Sequence, residues 1–408
     1  MSLKFFSTAI LTVAVLACSS DAHLAAPADE AESVLAASRV KLPFGQVRGR
    51  LGPGALYEIL VPPEWNRSLI LYAHGYVDPG EPVRLVTDNP EAAAEKALIE
   101  GLVGSGYAVA HSSFSENGLA VKDGAQRTEQ LRGIFVSKVG RPDETILVGS
   151  SLGGLVVVDL AERHPNLYAG ALALCGFLDG TQTEIDYLAH VRVLFDAYYR
   201  DAIEASLPPG YYFGDLLNLP PEEIRDDLLL AVAGALQAHP AGVLGIQAAM
   251  TNIGLPLQGD LLEPQTFAAS VYTAVEFSFT RWEDVLARTH GRSPFDNTDA
   301  DYGLTPPVDR FSATPDARNY VRKYYETRGA LQIPVVSVHN PQDPVAPSFH
   351  QQLYALKVES AGAAGRYMIA PTNPLDPSRT APFGHCEFGL GGDVFDAFAL
   401  LLTAIGSS

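Results

Sequence analysis

The sequence predicts an α/β protein, with a mostly parallel sheet of eight strands, helices on both faces, and a helical insertion between the sixth and seventh strands. Three observations carry this. Short apolar runs alternate with amphipathic helical stretches over residues 45–176, the pattern of parallel strands joined by helical crossovers. The alternation stops at Gly176, gives way to a helical and loop-like stretch reaching Ile333, and resumes at Pro334. Within the first block, Ile146-Leu147-Val148 runs into Gly149-Ser150-Ser151-Leu152-Gly153-Gly154, a glycine-flanked turn between a strand and a helix. The chain has 408 residues, 47% of them hydrophobic, enough for one large core carrying an insertion.

Taken in order, residues 45–51 and 55–61 read as strands joined at Gly52-Pro53-Gly54, a hairpin turn. Residues 68–73 are continuously apolar, as in a strand buried on both faces, and end in His74-Gly75-Tyr76. Ala93, Ala97, Leu98 and Leu102 have helical spacing within 90–104, and 107–112 is the next strand. Leu131, Phe135 and Val139 repeat at i, i+4 and i+8, one face of a helix over 124–139. After the glycine turn, 155–163 is amphipathic and 168–175 is the sixth strand.

In 177–333, Pro208-Pro209-Gly210 and Pro220-Pro221 punctuate helices, of which 224–236 is strongly apolar. Phe195, Tyr198, Tyr199, Phe213, Tyr272, Phe277, Phe279 and Trp282 supply this insertion with its own core, and a few rings should face the sheet and line a pocket. The seventh strand, 334–338, ends in His339-Asn340-Pro341-Gln342-Asp343-Pro344. A helix over 348–358, an eighth strand at 366–370, a loop through Gly384-His385-Cys386 and a closing helix at 394–405 complete the chain. The organisation expected is thus a core of 45–176 and 334–408 with a cap at 177–333.

The glycine turn is where chemistry enters. A serine lifted out of a sheet edge on a sharp bend crowds the residues two before and two after it, so both must be glycine. Gly149 and Gly153 stand in those places around Ser151, whereas the register of Ser150 would put Val148 there. The same bend aims the Leu152 N–H, at the positive end of a helix, toward a reacting oxygen. The bland alternative is an ordinary strand-to-helix turn.

From this turn the chain resembles the α/β-hydrolase superfamily over 45–175 and 334–405. The resemblance implies a nucleophile, an acid and a histidine in that order, each after a strand. Ser151, Asp343 and His385 stand in those positions, and His74-Gly75-Tyr76 matches the family's short oxyanion motif, with the Tyr76 N–H as second donor. Asp179, after the sixth strand, is a rival for the acid, and Asp376 and Glu387 are weaker ones. His74 reads as a loop brace, His164 as a surface group at a helix end, and His111, His190, His239, His290, His339 and His350 as structural.

The resemblance implies a serine hydrolase acting through an acyl-enzyme with no cofactor, and a carboxylic ester, small or polymeric, as substrate. An amidase or peptidase on the same triad and a non-catalytic binding protein on the same scaffold are the alternatives. The pair His385-Cys386 is also similar to tannase- and feruloyl-esterase-like enzymes, although Ser150 stands where those carry a cysteine before the nucleophile.

A net charge of −19 has the wrong sign for a nucleic-acid partner, and Cys18, Cys175 and Cys386 show no zinc-type spacing, so no metal is expected. Lys4 followed by the apolar run 5–17, too short to span a bilayer, reads as an export signal. Val15-Leu16-Ala17-Cys18 resembles a bacterial lipoprotein signal, implying residues 1–18 as signal, Cys18 as the site of lipidation and 19–44 as a tether to the cell envelope. Ordinary cleavage after Ala22, giving a periplasmic or secreted protein, is the rival. In an oxidising compartment Cys175 and Cys386 would be the remaining cysteines, either a disulfide bracing the histidine loop or two buried thiols.

Overall fold

The computed structural model describes residues 45–407 apart from 374, 377 and 390. The signal, the tether and Cys18 lie outside the described residues. Eight strands form one sheet: β1 (Gln46–Leu51), β2 (Ala55–Leu60), β3 (Ser68–Ala73), β4 (Ala108–Ser112), β5 (Glu144–Ser150), β6 (Gly170–Leu174), β7 (Val335–Val338) and β8 (Tyr367–Ile369), in the spatial order β1-β2-β4-β3-β5-β6-β7-β8. The β1–β2 hairpin and the β2–β4 pair are antiparallel, and every other pair is parallel.

Strand residues alternate between two cores. Leu69, Leu71, Ala73 and Leu147 face the core built with α2 (Val121–Lys138) and α3 (Leu152–Arg163). Ile70, Tyr72, Ile146 and Val148 face the other, closed by Ile99 and Val103 of α1 (Ala93–Gly104) and by Val394 and Phe398 of α10 (Gly392–Gly406). Burial on both faces is why β3 and β5 read as unbroken apolar runs.

Between β6 and β7 come α4 (Thr181–Ile203), α5 (Arg225–Ala238), α6 (Pro240–Asn252), α7 (Gln265–Arg288) and α8 (Pro315–Tyr324), and α9 (Phe349–Ser360) follows β7. Phe195, Tyr199, Phe213 and Phe279 interlock in a separate core of this segment, with ring centroids 4.8–5.9 Å apart. Most of the predicted aromatic set is spent there. The segment brings Arg281 against Tyr76, its guanidinium carbon 5.3 Å from the ring centroid.

Candidate active site

The turn after β5 has the geometry that its glycines demanded. Ser151 caps α3 with φ 53° and ψ −120°, a left-handed conformation costing a β-carbon-bearing residue about 1–3 kcal/mol. A Cβ on Gly149 would collide with the Gly153 carbonyl, and one on Gly153 with the Ala73 carbonyl at the end of β3. The Ser151 N–H donates to Leu174 O of β6 at 2.8 Å, and Gly154 N–H donates back to Ser151 O at 2.8 Å. Leu152 is the first residue of α3, so helix geometry gives its N–H no intrahelical acceptor.

Asp343 and His385 converge on this serine although 234 residues separate Ser151 from His385. The link is local packing of two loops. Gln342 pairs with Phe383 as a parallel bridge, and Gln342 N–H donates to Pro382 O at 2.9 Å. The Asn340 side chain, fully buried, donates to Ala381 O and Glu387 O at 2.9 and 3.0 Å and accepts from Glu387 N–H at 3.1 Å, holding both ends of the histidine loop. Neither clamp has a signature legible in the sequence.

His385 Nε2 lies 2.9 Å from Ser151 Oγ, and His385 Nδ1 lies 2.7 Å from Asp343 Oδ2. Asp343 is fully buried; its Oδ1 accepts from Val345 and Ala346 N–H at 2.9 and 3.0 Å. Burial alone would raise its pKa, but the His385 charge and the hydrogen bonds from His339 and His385 hold it well below the usual carboxylate range. An ionised Asp343 only accepts, so the Nδ1 of His385 carries a proton and donates it, leaving Nε2 to receive the serine hydroxyl.

His339, read as structural, stands directly against this acid. Its Nε2 is 3.2 Å from Asp343 Oδ2 and 2.6 Å from Ala346 O, both acceptors, so that nitrogen is the donor. Asp179 does not reach the site: it pairs with Lys357 Nζ at 2.9 Å and accepts from Thr183 Oγ1 at 2.5 Å. Asp376 accepts from Ser378 within its own loop, and the carboxyl of Glu387 is pushed up by burial. His164 lies 3.6 Å from Glu129, and His111 is buried 3.0 Å from Glu58 on the antiparallel edge.

The early loop also arrives at the serine. A Cβ on Gly75 would sit 3.4 Å from Ser151 Cβ, so the backbone carrying the Tyr76 N–H passes directly beside Ser151. His74 stacks on Phe114 with centroids 3.9 Å apart, and burial pushes its imidazole pKa down. Cys175 and Cys386 face each other at disulfide spacing, Cα to Cα 5.3 Å, immediately next to the histidine. Ser151, Cys175 and Cys386 all have positive φ, at 53°, 45° and 56°, so the backbone strain of the sheet's upper edge concentrates here. Cys175, His385 and Cys386 bring their ligand atoms within 4.8 Å of one another, but the two sulfurs face each other and both imidazole nitrogens are engaged.

No family model and no curated protein sequence matches the chain. Among solved structures it is similar to Est1E from Butyrivibrio proteoclasticus, at 12% identity, 90% of this chain and 100% of that one, TM-score 0.41. It is similar too to the rice cell wall degrading esterase LipA from Xanthomonas oryzae, at 13% identity, 86% and 84% coverage, TM-score 0.40. An acylaminoacyl peptidase from Pyrococcus horikoshii matches at 9% identity over 80% of this chain and 36% of its own length, TM-score 0.36. Strand order, parallel register and the left-handed serine turn after β5 decide the architecture. The chain has the α/β-hydrolase fold. Within that fold, the sequence-predicted trio Ser151, His385 and Asp343 meets above the carboxyl ends of β5 and β7, beside the Tyr76 loop.

Proposed function

We propose that the chain is an exported serine hydrolase that cleaves carboxylic esters. The observation that carries the reading is the hydrogen-bonded line from Ser151 Oγ through His385 to Asp343, at 2.9 and 2.7 Å. As Oγ bonds to the ester carbonyl carbon, its proton passes to His385 Nε2 and the carbonyl π pair moves onto oxygen. The N–H groups of Leu152 and Tyr76 receive that oxyanion. Collapse breaks the ester C–O bond, the imidazolium gives its proton to the departing alkoxide, and water then repeats both steps to free the acid. Asp343 keeps the imidazole in the right tautomer and stabilises its cation.

An ester is preferred over an amide because its leaving group needs less help. The segment between β6 and β7 acts as the cap over the scissile bond, and Cys175–Cys386 is a disulfide bracing the histidine loop. Residues 1–18 direct export, with Cys18 the lipid anchor and 19–44 the tether. Intact-mass analysis of membrane-extracted protein should find a diacylglyceryl adduct on a chain beginning at Cys18; a soluble chain beginning at His23 would replace anchoring by secretion.

The test of the substrate class is a matched panel of esters and amides with the same acyl groups. Turnover of esters well above that of the paired amides supports the reading, and the reverse ranking moves it to an amidase or peptidase. Activity on neither, with an intact fold, would favour a binding protein.

A further inference from the structure

We propose that Glu95, on α1, is a positioning residue for the oxyanion hole, holding in one frame the two backbone segments that carry its donors. This rests on the reading of Ser151 as nucleophile with Leu152 and Tyr76 as donors. A single carboxylate oxygen, Glu95 Oε1, accepts from Gly75 N–H at 3.0 Å and from the Tyr72 hydroxyl at 2.8 Å. The same hydroxyl lies 2.9 Å from Ser150 Oγ. Tyr72 has one phenolic proton and the carboxylate only accepts, so that proton goes to Glu95 and Ser150 donates to Tyr72. The line therefore runs from Ser150 through Tyr72 to Glu95, which also takes Gly75.

Each end of that line lies next to an oxyanion donor. Gly75 directly precedes Tyr76, and Ser150 directly precedes the nucleophile whose successor is Leu152. A glycine has no side chain to limit its backbone, so an unrestrained Gly75 would let the donor wander. Two restraints act on it. Glu95 takes its N–H, and His74 Nδ1 lies 2.7 Å from its carbonyl oxygen, which can only accept. In a trans peptide the carbonyl and the next N–H point in opposite directions, so holding the Gly75 carbonyl toward His74 sets the direction of the Tyr76 N–H. A Cβ at Gly75 would meet Ser151 Cβ at 3.4 Å and Glu95 Oε1 at 3.8 Å, so this backbone passes between nucleophile and carboxylate.

Glu95 touches none of the reacting atoms, and a negative charge near a developing oxyanion is electrostatically unfavourable. Its contribution is geometric: the acceptor matters and the charge does not. Glutamine keeps a carbonyl oxygen able to accept both hydrogen bonds, whereas alanine removes them. Tyr72→Phe cuts only the Ser150 arm, at a position 1% exposed where the ring is retained.

The experiment measures kcat and KM on p-nitrophenyl acetate, and inhibition by a trifluoromethyl ketone whose serine adduct places an oxyanion in the hole. Wild type and Ser151→Ala are run first, with thermal melts for every variant. Loss of one oxyanion donor costs about 10²–10³ in kcat, so a donor merely displaced in Glu95→Ala should cost about 10–100-fold with KM nearly unchanged. Ketone affinity should fall by the same factor, Glu95→Gln should recover most of both losses, and Tyr72→Phe should lose less than Glu95→Ala. A folded Glu95→Ala with wild-type kcat overturns the proposal, as does a loss confined to KM, or a Glu95→Gln as impaired as the alanine variant. If Glu95→Ala fails to fold, Tyr72→Phe with unchanged kcat and ketone affinity overturns it instead. An inactive wild type, or an active Ser151→Ala, removes the serine reading and this proposal with it. When both behave as expected, failure belongs to Glu95 alone.

Discussion

Strand β3 and helix α4 are both deeply buried, and they are buried in opposite ways. In β3 the side chains Leu69, Ile70, Leu71 and Ala73 are apolar, the backbone pairs with β4 and β5, and Tyr72 adds one buried hydroxyl bonded to Glu95. In α4 the backbone satisfies itself, yet the helix buries Glu184, His190, Arg192 and Asp196. Each needs a partner from elsewhere in the same segment. Glu184 pairs with Arg281 of α7, Arg192 Nε donates to Phe213 O at 3.0 Å, and His190 Nδ1 meets the Tyr302 hydroxyl at 2.7 Å. The sheet moves most of its polar chemistry out to the loops at the strand ends, where Ser151, His385 and Asp343 meet. The inserted helices carry theirs inside and use it to set how they sit against one another.

The largest effect expected separates the two regions at the acid. Asp343→Asn, at the end of β7, should lower kcat by about 10⁴ if its role follows the serine-protease precedent. Asp179→Asn, at the start of the inserted segment and paired with Lys357, should do far less. Steady-state kinetics on both variants decides this, and the reverse ranking would transfer the acid to Asp179.

Next comes the stitching of the insertion. Glu184→Gln leaves the Arg281 guanidinium buried without its partner charge, which should destabilise the fold by about 3–5 kcal/mol. The double change Glu184→Leu/Arg281→Met removes both charges and should cost clearly less. Urea unfolding of the three proteins measures it; a double variant worse than the single would mean that the helices depend on the pair itself.

A smaller effect is expected at Cys175 and Cys386, which as a disulfide would close a loop of sequence separation 211 between β6 and the histidine loop. Reduction should cost about 2–4 kcal/mol and should lower activity before the fold melts, since His385 is adjacent. Thiol titration of the unfolded, unreduced chain is the check, and two free thiols from these residues would end the idea.

The smallest concerns a buried carboxylate inside the sheet. Glu58 on β2 is buried, accepts from Arg48 Nε at 2.6 Å and lies 3.0 Å from His111 Nε2. Burial would raise its carboxyl, but hydrogen bonds from His111, Thr87 and Gln46 and the His111 charge bring it from 4.5 down to about 2. A lowered carboxyl binds its proton less readily folded than unfolded. Its stabilisation is therefore present above pH 4.5 and is lost as pH falls toward 2. The stability gap between wild type and Glu58→Gln should shrink across that window; a gap that is constant there would remove the linkage.

The contrast also explains what could be read in advance. The strands at 68–73 and 146–148 announce themselves because burial on both faces forces a continuous apolar run, and Gly149 and Gly153 announce the serine turn because a side chain at either would strike backbone. Asp343 and His385 were legible through their order after strands. Glu95, Tyr72 and Asn340 were not: their side-chain contacts reach residues at least 20 positions away, and no local pattern encodes such meetings. His339 reads as structural from the sequence because its contact with Asp343 depends on the Pro-flanked turn between them. In the insertion, the aromatic count foretold a core but not that the Arg281 guanidinium would lie over the Tyr76 ring.

The central claim is that Ser151 is an activated nucleophile. Treatment with a fluorophosphonate probe followed by peptide mass mapping tests it directly. The account predicts a single adduct on Ser151, lost in Ser151→Ala and retained in Ser150→Ala; an adduct that persists in Ser151→Ala, or falls on Ser150, would contradict it.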